Sequence, residues 1–175
     1  GYPRFEIIKN GKSSLNSSTQ IPINEWIHLA ASLDGDKATI YVNGVEIIQK
    51  TGMQSPAADI IRNKCYIARS NWIQDSYADA IYDELRFYNV ARTQSEILSS
   101  MNNSITSGTR GVIAYWKFNA GGGNTLYDHS GNGKHGIING ATWVTEGCTD
   151  LCYQEYNALA EVDDGSCNTF TGCPD

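Results

Sequence analysis

Short apolar runs alternate along this chain with clusters of Gly, Asp, Asn and Ser. From Gly1 to about Asn89 that rhythm is the one of strands and turns rather than of amphipathic helices. Residues 1–8 read as a strand already under way. Residues 26–33 form a mostly apolar run that stops at Asp34-Gly35-Asp36. Residues 37–43 follow as a strand rich in β-branched and aromatic side chains. Asn43-Gly44 then predicts a two-residue hairpin, because both central positions of a type I′ turn need positive φ. Residues 45–48 return, which completes a β-meander.

Residues 52–64 read as a loop and residues 65–68 as a short strand. Residues 71–79 mix polar and aromatic side chains, as a surface loop does. In the next strand, residues 80–88, strict alternation places Ile81, Asp83, Leu85 and Phe87 on one face. Tyr82, Glu84, Arg86 and Tyr88 fall on the other, so Asp83 is expected on the apolar side. Thr93 to Glu96 has the spacing of a capping box and opens a short helix to about Met101, with Ile97, Leu98 and Met101 as its apolar side. A Ser/Thr/Gly linker leads to a strand at 112–118 and a turn at Gly121-Gly122-Gly123. A polar loop spans 125–135, and residues 136–138 with 141–144 close the unit. After Gly147 the composition turns to Cys, Asp, Asn and Gly. The chain is therefore expected to divide into residues 1–146 and a small module at 147–175.

Composition narrows the classes of function. The chain has 175 residues, 41% of them hydrophobic and 18% charged, enough for a sizeable core. Its 17 Gly against 4 Pro suit many tight turns. A net charge of -6 argues against nucleic acid, which demands a cationic face. No apolar run is long enough to span a bilayer. Cys148, Cys152, Cys167 and Cys173 crowd the tail and read as two disulfides, with three possible connectivities. Irregular spacing and the lack of a His in the tail weigh against zinc. Cys65, in the run Cys65-Tyr66-Ile67-Ala68, is expected as an inert buried thiol.

Trp26-x-His28-Leu29-Ala30, Asp34-Gly35 and Ile40-Tyr41-Val42-Asn43-Gly44 resemble the central hairpin of laminin-G-like jellyroll domains. Residues 66–70 and 82–93 resemble the late strand of that family and the helical turn after it. Residues 111–118, with Tyr127-Asp128-His129-Ser130-Gly131-Asn132-Gly133 and Gly136, match a segment common in bacterial relatives. The resemblance covers about residues 1–145. It implies an all-β fold: an antiparallel β-sandwich of the concanavalin A-like jellyroll kind with one short helix, followed by the disulfide-bridged module. Several strands precede the position of Gly1 in that family, so they are expected to be missing here. The segment at 115–116 opens the domain in many relatives and follows the late strand in others; here it is expected to complete the sandwich. The tail is similar to a Cys-containing repeat of large surface proteins, and residues 172–175 resemble the start of a further copy.

Asp128, Ser130 and Asn132 alternate in a Gly-rich loop, so their oxygens are placed to converge on a hard cation. The resemblance implies a calcium site built from this loop and Asp83, with carbonyls around His135 completing it. The alternative pairs Asp83 with Arg69, Arg86 or backbone amides and treats the loop as a series of Asx turns. Asp150 and Asp163-Asp164-Gly165 fall short of an EF-hand and read as turns beside disulfides. Adjacent residues such as Asp83 and Glu84 point to opposite faces of a strand, which speaks against a glycosidase pair. His28, His129 and His135 lack a nucleophile at useful spacing, and His28 reads as a satisfied structural residue. Trp72, Tyr77 and Tyr82 are the candidate ligand-binding aromatics, since such rings stack on sugars and dominate protein interfaces. Asn16-Ser17-Ser18 and Asn102-Asn103-Ser104 are glycosylation triplets.

The resulting expectation is a non-catalytic, calcium-stabilised binding module of an extracellular, secreted or cell-surface protein. Its partners would be glycan or protein ligands, with no nucleic acid and no membrane insertion. The alternative is a structural module of a surface filament, adhesin stalk or viral fibre that packs on its neighbours and binds no small ligand.

Overall fold

The structure, a computed structural model, describes residues 1–56, 61–163 and 165–173. Part of the expected loop at 52–64, Asp164 of the tail turn and residues 174–175 fall outside these.

Strands β1 (Arg4–Ile8) and β2 (Lys12–Asn16) form an antiparallel hairpin in which Phe5 faces Leu15. Strands β3 (Leu29–Asp34), β4 (Lys37–Val42) and β5 (Val45–Lys50) make a second antiparallel sheet with β4 in the centre. Asn43 and Gly44 both take positive φ, 49° and 73°, as the hairpin between β4 and β5 requires. Four successive β4 residues, Ala38, Thr39, Ile40 and Tyr41, are buried, so this strand is covered on both faces. Leu15, Ala38, Ile40 and Met53 form the main core, and Phe5, Leu33, Ile47 and Ile48 pack against it. Each fully buried Leu or Ile contributes about 2 kcal/mol. The two sheets therefore hold each other through the apolar faces that alternation gave them.

Strand β6 (Leu85–Tyr88) pairs antiparallel with β7 (Val112–Trp116). Between them lies α1 (Gln94–Ser100), capped as its sequence predicts. The Thr93 side chain accepts from the Glu96 N–H, and the Glu96 carboxylate accepts from the Thr93 N–H. Gly44 admits this helix. A Cβ there would stand 2.3 Å from Cδ2 of Leu98, so only glycine lets α1 lie against the β4–β5 turn. Short strands β8 (Thr125–Leu126) and β9 (Gly136–Ile137) pair around the 127–135 loop. In the tail, β10 (Glu146–Gly147) and β11 (Val162–Asp163) pair in parallel. The Thr145 carbonyl also accepts from Glu161 and Val162.

The architecture is thus mostly antiparallel β with one short helix and two disulfides near its C-terminal end. Of the three connectivities open to the tail, the structure has Cys148–Cys167 and Cys152–Cys173. Tyr153 stacks edge-on to Phe170, with centroids 5.6 Å apart, and Asp150 and Asp163 form turns through the Cys152 and Gly165 N–H groups.

Three expectations need correction. Residues 65–68, 80–84 and 141–144 are not strands. Ala68 and Glu84 sit at positive φ, 62° and 51°, which a pleated strand excludes. Cys65, expected to be buried, is an exposed free thiol because the strand that would have buried it does not form. Residues 141–144 have no partner strand among the described residues.

Candidate functional site

Two features gather polar or aromatic side chains: the loop at 66–78 and the loop at 127–135. The first is shaped by Ala68. Its positive φ turns the chain, and the N–H of Ala78 donates to the Ala68 carbonyl at 2.8 Å, which closes the loop at its base. Inside it, the Asp75 N–H donates to the Trp72 carbonyl at 3.1 Å, and the Trp72 N–H donates to Ser70 Oγ at 3.1 Å. Trp72 is 55% exposed, Tyr77 70% and Tyr66 46%. The Arg69 guanidinium carbon lies 4.8 Å from the Tyr66 ring centroid and 5.9 Å from that of Tyr77. Two of the expected aromatics, Trp72 and Tyr77, therefore stand on one closed loop in the open. The third, Tyr82, is half-buried outside that closure.

Tyr66 and Arg69 were not among the sequence candidates. In a strand, residues three apart point to opposite faces. Only the turn at Ala68 brings them together, and an alanine carries no sign of it.

The second loop is organised by Asp128, which is 8% exposed. Its Oδ1 accepts from the N–H groups of Tyr115 and Ser130, both at 2.9 Å. Its Oδ2 accepts from the Ser130 hydroxyl at 2.8 Å and the Lys134 N–H at 2.9 Å. Burial works against the charged form. The donors from Ser130, Lys134 and Tyr115 outweigh it and hold the carboxyl well below the usual carboxylate range. The Asp128 N–H in turn donates to His135 Nδ1 at 3.0 Å. Asn132 donates from Nδ2 to the Ile113 carbonyl at 3.2 Å and to Ser130 Oγ at 3.1 Å.

This donor set bears on calcium. Each carboxylate oxygen of Asp128 already accepts two hydrogen bonds, and the Lys134 carbonyl beside His135 accepts from Trp116 Nε1 at 3.0 Å. A hard cation needs those lone pairs, and N–H groups aimed at the same oxygens would oppose it. The arrangement fits a hydrogen-bonded brace and does not fit a calcium ion. Asp83 does not join it. The residue is exposed, because positive φ at Glu84 breaks the alternation that would have turned it inward. Among the described residues no three His, Cys, Asp or Glu side chains form a metal-binding group.

The inward carboxylate is the neighbouring one. Glu84 Oε2 accepts from the Tyr115 hydroxyl at 2.5 Å and forms an ion pair with Arg86. The Arg86 guanidinium also donates to the carbonyls of Ser100 at 2.8 Å and Asn103 at 2.7 Å, and lies 5.2 Å over the Tyr115 ring. His28 is close enough to feel this charge. Burial, then Arg86, holds its imidazole below the ordinary histidine value. Contrary to the satisfied histidine expected, its buried Nδ1 has no hydrogen-bond partner among the described residues.

The sequence pattern of the concanavalin A-like lectin/glucanases superfamily, in its laminin G form, matches residues 1–98. No curated protein sequence matches the chain. Among solved structures, a candidate carbohydrate binding protein from Bacteroides ovatus is similar at 22% identity with a TM-score of 0.56. That match covers 73% of this chain and 39% of that one. An S-layer domain-containing protein from Clostridium thermocellum is similar at 23% identity with a TM-score of 0.43, covering 55% of this chain and 49% of that one. The chain thus spans about half or less of each of those two. With more than half of its length matched by the family pattern, on an antiparallel β framework of the same kind, the chain belongs to the concanavalin A-like lectin/glucanases superfamily.

Proposed function

We propose that the chain is a non-catalytic carbohydrate-binding module of an extracellular protein, and that the 66–78 loop is its ligand face. The observation that carries this is the exposure of Trp72 and Tyr77 on one closed loop, with Tyr66 beside Tyr77 through Arg69. Large aromatic rings left in water on a single loop are an unpaid cost unless something covers them, and the C–H faces of sugars stack well on such rings. The carbohydrate-binding description of the Bacteroides ovatus protein agrees with this reading, on a shared fold only. Two disulfides suit an oxidising, extracellular compartment. No described helix is long and apolar enough to cross a membrane. A glycosidase needs two carboxylates free to face one bond. Here Glu84 is held by Arg86 and Tyr115, and Asp128 by its four donors.

The second reading is a structural module that packs on copies of itself. It is favoured by an open cleft of about 200 Å³ between β1 and β3, whose lining of Pro3, Phe5, Leu29, Ala31 and Ile40 is apolar apart from Arg4. One experiment separates the two. The chain is titrated calorimetrically with soluble polysaccharides, beside Trp72→Ala and sedimentation of the free protein. Expected is binding that Trp72→Ala weakens by about tenfold, the worth of one lost stacking contact, with the melting temperature unchanged. Self-association without polysaccharide affinity would replace the binding reading by the packing one.

A further inference from the structure

Resting on the carbohydrate-binding reading, we infer that the ligand face selects acidic saccharides and that Arg69 reads their charge. Three of the arginines of this chain are already engaged by carboxylates. Arg4, Arg86 and Arg92 are each tied to a carboxylate, of Glu6, Glu84 and Glu96 respectively. Arg69 has no ion pair and no side-chain hydrogen bond among the described residues. It is held by the rings of Tyr66 and Tyr77. Ring faces interact with the charge of a guanidinium but satisfy none of its in-plane N–H groups. Arg69 therefore presents an open donor fork, the shape that takes a carboxylate or sulfate in two parallel hydrogen bonds.

Arg69 shares its closed loop with Trp72, so a sugar ring stacked on the indole brings its acidic substituent within the same surface. Ser70, Asn71 and Asp75 on the same loop are short and polar, Ile73 beside Trp72 is fully exposed, and the mostly apolar cleft lies elsewhere, between β1 and β3. Rings set among hydrogen-bonding groups on one loop suit a saccharide chain, whose C–H faces stack while its hydroxyls pair. The overall charge of -6 repels polyanions at long range. Salt at physiological strength screens that field beyond about 8 Å, while direct contact at Arg69 persists. Selectivity is local.

The test uses the whole chain and two matched pairs of polysaccharides. Polygalacturonate is compared with its methyl ester, and dextran sulfate with dextran, by isothermal titration. At least one acidic form is expected to bind about tenfold tighter than its neutral counterpart. The pair that shows the preference tells carboxylate from sulfate. Arg69→Gln should abolish the preference and leave affinity for the neutral form. Arg69→Lys should keep only part of it, since a point charge lacks the fork. Lys9→Gln, the same change of net charge on the β1–β2 turn, should keep all of it. Equal binding of acidic and neutral forms, still weakened by Trp72→Ala, overturns this inference and leaves the carbohydrate reading standing. A preference that survives Arg69→Gln in a folded protein overturns it too. Failure to bind any of the four overturns both and leaves a protein partner for the loop.

Discussion

Asp128 draws together three stretches of chain with one side chain: β7 through Tyr115, its own loop through Ser130, and the approach to β9 through Lys134. Asn in its place would aim an amide NH2 at donors. Asp128→Asn is therefore expected to lower stability by about 2–4 kcal/mol in urea denaturation. Its pH dependence has a definite sign. The folded carboxyl titrates far below its unfolded value, so its contribution is complete above about pH 5 and is lost as the pH falls toward the folded value. The gap between wild type and Asp128→Asn should narrow on acidification from about pH 6 to about pH 2. Chelator should leave both unchanged, and a melting temperature raised by added calcium would contradict the brace. The alternation of Asp128, Ser130 and Asn132 was legible in the sequence, and so was the Asx-turn alternative that these hydrogen bonds support. What alternation concealed was the backbone at Glu84 and Ala68. Nothing in a Glu or an Ala announces positive φ, so Asp83 was turned inward in expectation and Arg69 was not grouped with the aromatics of the 66–78 loop.

Among the elements, α1 shows what a short helix needs. Seven residues do not hold a helix in water. Its N-terminus is secured by the Thr93–Glu96 box, a local spacing and hence readable in advance. Its C-terminal end is secured by Arg86, which reaches the carbonyls of Ser100 and Asn103 from β6. That partnership is long-range, and a period-two pattern says which face Arg86 takes but not whom it meets. Arg86→Ala strands both the Glu84 carboxylate and those carbonyls, and should cost about 3 kcal/mol. Arg86→Lys should recover little, because one ammonium cannot meet acceptors spread across a planar fork. Urea midpoints of the three proteins check this, and full rescue by Lys would reduce Arg86 to a charge. The Asn43-Gly44 hairpin was equally legible, since its chemistry is contained in two residues. The reason Gly44 must also be small, the nearness of Leu98, was not.

At the scale of the whole molecule, cohesion has two sources. The sheets share a core around Leu15, Ala38, Ile40 and Met53, whereas the tail is held by covalent bridges and a few polar contacts. Glu155 illustrates the latter: the Thr169 side chain and N–H and the Asn168 N–H bring its carboxyl down to about 2. Each bridge closes a loop long enough to contribute about 3 kcal/mol through chain entropy. Reduction should therefore open residues 148–173 to protease while the region before them keeps its resistance and its melting transition. Simultaneous loss of both would show that the core depends on the tail. The fold class was readable because strands, turns and clustered cysteines each leave local marks; which cysteine meets which was not, because four of them allow three pairings.

The crossing of those two bridges also decides how the tail transmits force. A pull applied across it runs along the backbone from Cys148 to Cys152 and then through the second bridge to Cys173. The loop between Cys152 and Cys173, with the Tyr153–Phe170 stack inside it, lies off that path. Tension passes by without unravelling it. Under such a pull the tail should act as a short tether of nearly fixed length rather than as a spring.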